Sequence, residues 1–151
     1  MFGLLRRRSG FARSICEIRV IVVNDGPLIA SYVGSRLGIK ICEPFTALGF
    51  LTDDKRPLCA FVFNDFNHAN MEMTIVSEPG GITRQVIRYV ANYVFNTAKC
   101  RRVTVRTKKR NKRVLQLAPR YGFKYECIAK HFFADDDAVV FRMLREDCRF
   151  L

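Results

Sequence analysis

The chain has 151 residues, of which 49% are hydrophobic and 26% charged, a length and composition that suit one domain with a buried core and exclude a wholly disordered protein. No apolar run approaches the ~18 residues that a membrane-spanning helix needs. The formal net charge of +12 at pH 7 predicts a surface that attracts anions.

The amino-terminal segment, residues 1–13, is rich in arginine and has only short apolar pairs. It lacks the apolar core of a secretory signal, so we expect a cytoplasmic protein. We divide the chain into this basic segment and one domain over residues 14–151. The six cysteines are scattered without a metal-binding spacing, so the sequence predicts neither disulfides nor a metal site.

The first half of the domain alternates between strand-like and helix-like patterns. Residues 15–23 are β-branched and almost wholly apolar, which predicts a buried strand. Asp25 then caps a predicted helix that runs to residue 37 and ends at Gly38. Three further predicted strands, separated by polar turns, cover residues 47–52, 58–66 and 71–77.

The second half contains two more predicted helices. Residues 82–98 carry apolar side chains at helical spacing, and residues 111–121 do so as far as Gly122. The remaining predicted strands cover residues 102–107, 125–133 and 138–144. The predicted order is therefore β-α-β-β-β-α-β-α-β-β, a mixed α/β domain without internal repeats.

The junction before the second predicted helix, residues 78–84 (EPGGITR), has features of an anion site. Its two glycines let the backbone turn tightly and approach a ligand. The N–H groups at the start of the following helix favour an anion such as a pyrophosphate. A Pro-Gly-Gly turn is also common as a simple turn, and that alternative stays open.

The junction at residues 111–123 begins at Asn111 and closes on Gly122 and Phe123. This spacing, together with the order of the elements, resembles the GNAT superfamily of acyl-CoA N-acyltransferases. Residues 61–75 and 143–151 also resemble small GNAT-type proteins of bacteriophages and prophages. The resemblance implies an α/β (α+β) fold with a central mixed, mostly antiparallel sheet, helices on both faces and splayed fourth and fifth strands.

The resemblance also implies an activity, the transfer of an acetyl group from acetyl-CoA to an amine by direct attack in a ternary complex. In this family the pantetheine arm lies between the splayed strands, and the pyrophosphate lies on amides at the start of the next helix. The positions implied for binding the cofactor are Val76, Gly80, Gly81, Ile82, Thr83, Arg84 and Asn111.

Glu72 and Tyr121 are the predicted catalytic residues. Glu72 lies on the fourth predicted strand and is suited to accept the amine proton, although the alternation of that strand also fits a solvent-facing side chain. The family's frequent tyrosine acid falls at Ala118 here; Tyr121 lies three residues further on and on a different helical face, so whether it takes that role stays open. At the position of Glu78 the family usually has Arg or Gln, and at the position of Thr83 it usually has Gly or Ala.

A basic block, residues 99–130, contains twelve Lys or Arg residues and one acid. Its charge favours a polyanion, which includes the phosphates of the cofactor, nucleic acid and an acidic protein. A second hypothesis is therefore a catalytically degenerate GNAT-fold protein that binds nucleic acid or an acidic host protein through this block. A third is a minor virion component. The sequence does not indicate the acyl acceptor or the oligomeric state.

Overall fold

The computed structural model describes residues 19–151, so the predicted segment 1–13 and the start of the domain lie outside the described residues. A seven-stranded sheet forms its centre, with the strands in the order β1-β2-β3-β4-β5-β7-β6. The strands are β1 (Val20–Val23), β2 (Thr46–Thr52), β3 (Pro57–Asn64), β4 (Asn70–Ser77), β5 (Arg102–Lys108), β6 (Lys124–Phe133) and β7 (Asp136–Leu144).

Three α-helices cover the two faces of this sheet, and their order along the chain confirms the prediction. They are α1 (Gly26–Leu37), α2 (Arg84–Asn92) and α3 (Lys112–Arg120). α1 begins at its predicted cap, Asp25, and ends at Gly38, which adopts a left-handed φ of 66°. Within the described residues, no helix is long and apolar enough to cross a membrane.

Two layers of core lie on opposite faces of the sheet. Ile29 and Val33 of α1 pack on one face against side chains such as Val62. Val90 of α2 packs on the other face with Phe61 and the rest of the larger cluster. α3 joins that second face through Ala118, which packs against β7. The sheet therefore separates α1 from α2 and α3.

The fold is a mixed, mostly antiparallel α+β arrangement, as the sequence predicted. β4 and β5 form the parallel pair of this sheet, and they pair through three positions: Asn70 with Arg102, Met71 with Val103 and Glu72 with Thr104. Beyond Glu72 the two strands diverge. Parallel strands whose pairing stops part-way leave a wedge at their carboxyl ends, and this wedge positions the site described below.

β1 differs from the prediction of a buried strand. It pairs with β2 alone and forms one edge of the sheet, so its other side has no neighbouring strand in the described part of the chain. Ile21 and Val22 are both 38% exposed as a result. Residues 15–18 of the predicted strand lie outside the described residues.

The second predicted helix, residues 82–98, is divided in the structure. Thr83 caps α2, which therefore begins at Arg84, and a π-helical turn (Tyr93–Thr97) replaces its last part. The Arg145 side chain donates a hydrogen bond to the carbonyl of Phe95 at 2.6 Å. This carbonyl lies within the π-helical turn, so a contact with a distant part of the chain accompanies the end of the regular α-helical pattern.

Candidate active site

A cleft of about 490 Å³ opens where β4 and β5 diverge. Ile75 and Val76 of β4 form one wall, and Val105 of β5 with Leu117 of α3 forms another. The carboxyl end of α1 closes the cleft through Arg36. A concave site of this volume is typical of small-molecule binding.

The structure brings several of the predicted site residues together. Val76, Gly80, Ile82, Asn111 and Tyr121 line the cleft. Gly81, Thr83 and Glu72 are not part of its lining, and Arg84 lines a shallower depression beside it.

The two glycines of the junction have different structural roles. Gly80 has a left-handed φ of 72°, and a Cβ at this position would meet no other described atom within 4 Å. A Cβ on Gly81 would instead overlap the carbonyl of Leu58 on β3. That carbonyl accepts a hydrogen bond from the amide of Glu78 at 2.9 Å. Gly81 therefore lets the junction pack against β3, while Gly80 faces the cleft.

Thr83 defines the start of α2. Its hydroxyl oxygen accepts a hydrogen bond from the amide of Val86 at 3.3 Å. The next amides, those of Arg84 and Gln85, belong to the first helical turn and have no acceptor within the helix. Free amides and the positive end of the helix dipole make this end of α2 suited to an anion.

Glu78 lies in the cleft wall, but its charge is compensated. Its carboxylate forms an ion pair with Arg36 and accepts a hydrogen bond from the Tyr32 hydroxyl at 3.0 Å. These hydrogen bonds, that of Arg36 first, lower the pKa of Glu78. Both partners lie on α1, more than 40 residues earlier in the chain, so sequence spacing did not reveal them.

Asn111 caps α3, as its position in the sequence predicted. Its side-chain oxygen accepts a hydrogen bond from the amide of Val114 at 3.3 Å. Arg113, in the first turn of the same helix, also lines the cleft and has no carboxylate within 4.0 Å among the described residues. The sequence marked Arg113 only as one member of the basic block, and its place at the start of a helix was the available signal.

Glu72 lies at the vertex of the wedge, because Glu72 and Thr104 are the last paired positions of β4 and β5. Its side chain is only 13% exposed and forms an ion pair with Arg106, so the alternative of a solvent-facing side chain is wrong. Burial raises the pKa of Glu72, Arg106 lowers it, and the neighbouring carboxylate of Asp65 raises it further. Glu72 and Val76 occupy alternate positions on one face of β4, so both are on the side of the sheet that carries α1.

Tyr121 follows α3 directly and lines both the cleft and the depression that contains Arg84. Ala118, at the family's usual position for a tyrosine, is 7% exposed and packs against Val139 and Phe141 of β7. The cleft lining thus includes the junction before α2, the Arg113 guanidinium and the Tyr121 phenol, while the largely buried carboxylate of Glu72 lies outside the lining, at the vertex of the wedge. Within residues 19–151, no group of three or more His, Cys, Asp or Glu side chains is arranged to hold a metal ion.

No protein-family model matches the chain, and no curated protein matches it in sequence. Solved structures do match its fold. Mutant forms of the spermidine/spermine N-acetyltransferase SpeG from Vibrio cholerae are 11% identical, with a TM-score of 0.71 over 85% of this chain and 96% of that chain. The same enzyme in complex with manganese ions is 12% identical, with a TM-score of 0.69 over 85% and 94% of the two chains.

A dodecameric structure of the spermidine N-acetyltransferase from Vibrio cholerae is also similar, with a TM-score of 0.68 and 12% identity over 84% of this chain and 94% of that chain. At such low identity the likeness shows the fold alone. The chain therefore has a GNAT-like fold, in agreement with the resemblance that its sequence motifs indicated.

Proposed function

We propose that this protein is an N-acetyltransferase that transfers an acetyl group from acetyl-CoA to an amine by direct attack in a ternary complex. The observation that carries the proposal is the cleft at the divergence of β4 and β5, whose lining includes the junction before α2 and the amino end of α3. The fold supports the reaction class, and the residues of the cleft support the co-substrate.

The pantetheine arm of CoA fits the exposed edge of β4. β4 pairs with β3 from Glu72 to Ser77, but its pairing with β5 ends at Glu72. The amides and carbonyls of β4 that face the β5 side therefore have no strand partner after Glu72 in the described part of the chain. Pantetheine contains two amide groups, and an extended ligand with amides can add to such an edge as a strand does.

The phosphates of CoA fit the mouth of the cleft. Gly80 and the first-turn amides of α2 offer N–H donors, and Arg113 of α3 offers a positive charge. Glu78 is the one carboxylate that the described residues contribute to the lining, and its ion pair with Arg36 reduces its repulsion of an anion. The departure from the family's usual loop is thus compatible with CoA.

The reaction requires one proton acceptor and one proton donor. The amine nitrogen forms a bond to the acetyl carbon, the carbon–sulfur bond breaks, and the amine loses a proton. Glu72 lies outside the cleft lining, so in this proposal it accepts that proton through a water molecule. The departing CoA thiolate takes a proton from Tyr121 or from water. Water suffices as the donor because a thiolate is a good leaving group near neutral pH.

The acceptor in this proposal is an amine. The names of the similar structures state spermidine and spermine as substrates of those enzymes, and a polyamine is one case of the proposed acceptor. A bacteriophage or prophage source and a cytoplasmic location stay predictions from the sequence.

The test is isothermal calorimetry with CoA and a matched pair of variants, Gly80→Asp and Gly80→Asn. Asn and Asp both tolerate the left-handed conformation and have the same shape, so they differ mainly in charge. We expect CoA binding by the wild type and an affinity about tenfold lower for Asp than for Asn, because a unit charge near an anion costs on the order of 1 kcal/mol. The absence of binding by the wild type at millimolar CoA would refute the proposal.

The second candidate is a binding protein that uses its basic surface. Six of the twelve cations in residues 99–130 have a carboxylate within 4.0 Å in the described part of the chain. The other six have none there, which leaves positive charge for an external polyanion; they are Lys99, Arg101, Lys109, Lys112, Arg113 and Arg120.

A further inference from the structure

An apolar cavity of about 70 Å³ lies between α2 and the sheet, beside the cleft. Met73 and Ile75 of β4, Val103 of β5 and Ala91 of α2 are among its lining residues. Among residues 19–151, no charged side chain lines it. The chemistry of such a lining suits a hydrocarbon, because a polar ligand would lose its hydrogen bonds to water without replacement.

The cavity and the cleft share part of their walls. Ile75, Ile82, Tyr121 and Phe123 line both. The backbone does not close the space between them, because the pairing of β4 with β5 stops at Glu72, before Ile75. A ligand in the cleft is therefore separated from the cavity by side chains alone.

The cavity is sized for a short chain. An apolar cavity of ~150 Å³ holds benzene, which has six carbon atoms. At about 70 Å³ this cavity has room for about half as many. Met73 and Met143 contribute flexible side chains to the lining, which allow small adjustments of its shape.

We propose that this cavity holds the hydrocarbon chain of the transferred acyl group, so that the protein prefers a butanoyl-CoA-sized donor to acetyl-CoA. Butanoyl has three carbons beyond its carbonyl, and acetyl has one. The inference rests on the proposed function, since it places an acyl-CoA in the cleft, but it concerns only the length of the acyl chain.

Calorimetry of the wild type with CoA, acetyl-CoA, butanoyl-CoA and octanoyl-CoA tests the inference. Each methylene that becomes buried raises affinity about fourfold, so we expect butanoyl-CoA to bind about fifteenfold more tightly than acetyl-CoA. We expect octanoyl-CoA to bind no more tightly than butanoyl-CoA, because its acyl chain is longer than the cavity can hold. Binding of CoA and acetyl-CoA without a gain for butanoyl-CoA overturns this inference and leaves the proposed function standing. No binding of any of the four overturns both.

Two variants test the cavity itself. Ala91→Leu fills it from α2 at a position outside the cleft lining, so we expect the preference for butanoyl-CoA to disappear while the affinity for CoA is unchanged. Ala30→Leu on α1, across the sheet, is the matched control and keeps the wild-type preference. Ile87→Ala enlarges the cavity and moves the preferred chain length upward, which keeps the test decisive if Ala91→Leu does not fold.

If the cavity is only a packing void, Ala91→Leu raises the Tm, because filled cavities stabilise proteins. The ratio of butanoyl-CoA to acetyl-CoA affinity then equals that of the wild type in all three variants. That result would overturn the inference.

Discussion

The pKa of the Glu72 carboxyl group depends on burial and on the charged side chains beside it. Burial disfavours its charged form, and Arg106 restores part of the stability of that form through the ion pair. Arg106 is itself held in place, since its guanidinium lies 4.9 Å from the centre of the Phe132 ring. A carboxylate with a raised pKa is a stronger base than an exposed one, which suits it to accept a proton from an amine.

The first prediction concerns the pH dependence of acetyl transfer. Only ionised Glu72 accepts a proton, so kcat/KM should rise with pH through a pKa above the ordinary value for glutamate. Glu72→Gln should remove this limb of the profile and lower kcat about a hundredfold or more. The measurement is a pH profile of CoA release with a primary amine as acceptor.

Asp65→Asn is the matched control for this prediction. The Asp65 carboxylate raises the pKa of Glu72, so its removal should shift the limb to lower pH without abolishing activity. Asn tolerates the positive φ of 51° at this position. An unchanged limb in both variants would show that another group is the base.

Tyr121→Phe should keep the rising limb of the pH profile and most of kcat. A loss of kcat above about a hundredfold would make Tyr121 the general acid.

At the scale of elements, the beginnings of α2 and α3 shape the site. Both helices follow a strand of the diverging pair, and both are capped by a side chain, Thr83 in one case and Asn111 in the other. Asn111 and Arg113 of α3 line the cleft, whereas α2 approaches it through Gly80 and Ile82 of the preceding junction. The positive end of each helix dipole therefore lies near the cleft, where it favours an anion.

Asn111 caps α3, and in the proposed function it is also a hydrogen-bond donor to the cofactor. Two variants separate these roles. Asn111→Ala removes the cap at a cost of about 1 kcal/mol, which should lower the Tm by about 2–4 °C. Asn111→Asp keeps an acceptor for the amide of Val114 but replaces the side-chain NH₂ with a negative charge. We expect the Asp variant to keep the wild-type Tm in thermal unfolding. In calorimetry we expect it to bind CoA about tenfold more weakly than the wild type. Equal affinity of the Asp variant and the wild type would assign Asn111 to the cap alone.

At the scale of the whole molecule, the ion pairs divide the basic block. Lys108 and Arg110 share the carboxylate of Asp135, and Lys130 pairs with Asp137. The acidic turn between β6 and β7 thus neutralises part of the block. Part of the remaining positive charge lies on α3, at Lys112 and Arg113, and Arg113 lines the cleft, where its charge favours an anionic ligand.

Charge reversal separates the two functional hypotheses. Lys109→Glu combined with Lys112→Glu changes two cations within two residues of Asn111, which lines the cleft, and neither cation has a carboxylate partner in the described part of the chain. Lys40→Glu combined with Lys55→Glu makes the same charge change outside residues 99–130 and is the control. We expect only the first pair to weaken CoA binding severalfold, and we expect no tight binding of a nonspecific duplex by the wild type.

The binding-protein hypothesis predicts a different result for the same variants. If the basic block serves nucleic acid, the wild type binds duplex DNA with a steep dependence on salt. The slope of log affinity against log salt then falls by about one unit for each phosphate contact that the first pair of substitutions removes. That result would favour the binding protein over the enzyme.

The sequence by itself determined the order of the elements and the two caps, Asp25 and Asn111. These features depend on residues close together in the chain, because periodicity, capping and turn chemistry are local. The family resemblance implied Val76 and Gly80 as cofactor-binding residues; both line the cleft, and their binding of a cofactor stays a prediction. The edge position of β1 and the π-helical turn after α2 were not predicted, since sheet order and the Arg145 contact are set by distant parts of the chain.

Only the tertiary structure decided the environment of each charged side chain. Glu72 and Arg106 are 34 residues apart, and Glu78 and Arg36 are 42 apart, yet each pair forms an ion pair. The apolar cavity likewise combines side chains from β3, β4, β5, β7 and α2. Burial and the pKa of a carboxyl group depend on what surrounds it in space, and folding brings together residues whose spacing in the sequence carries no signal of their contact.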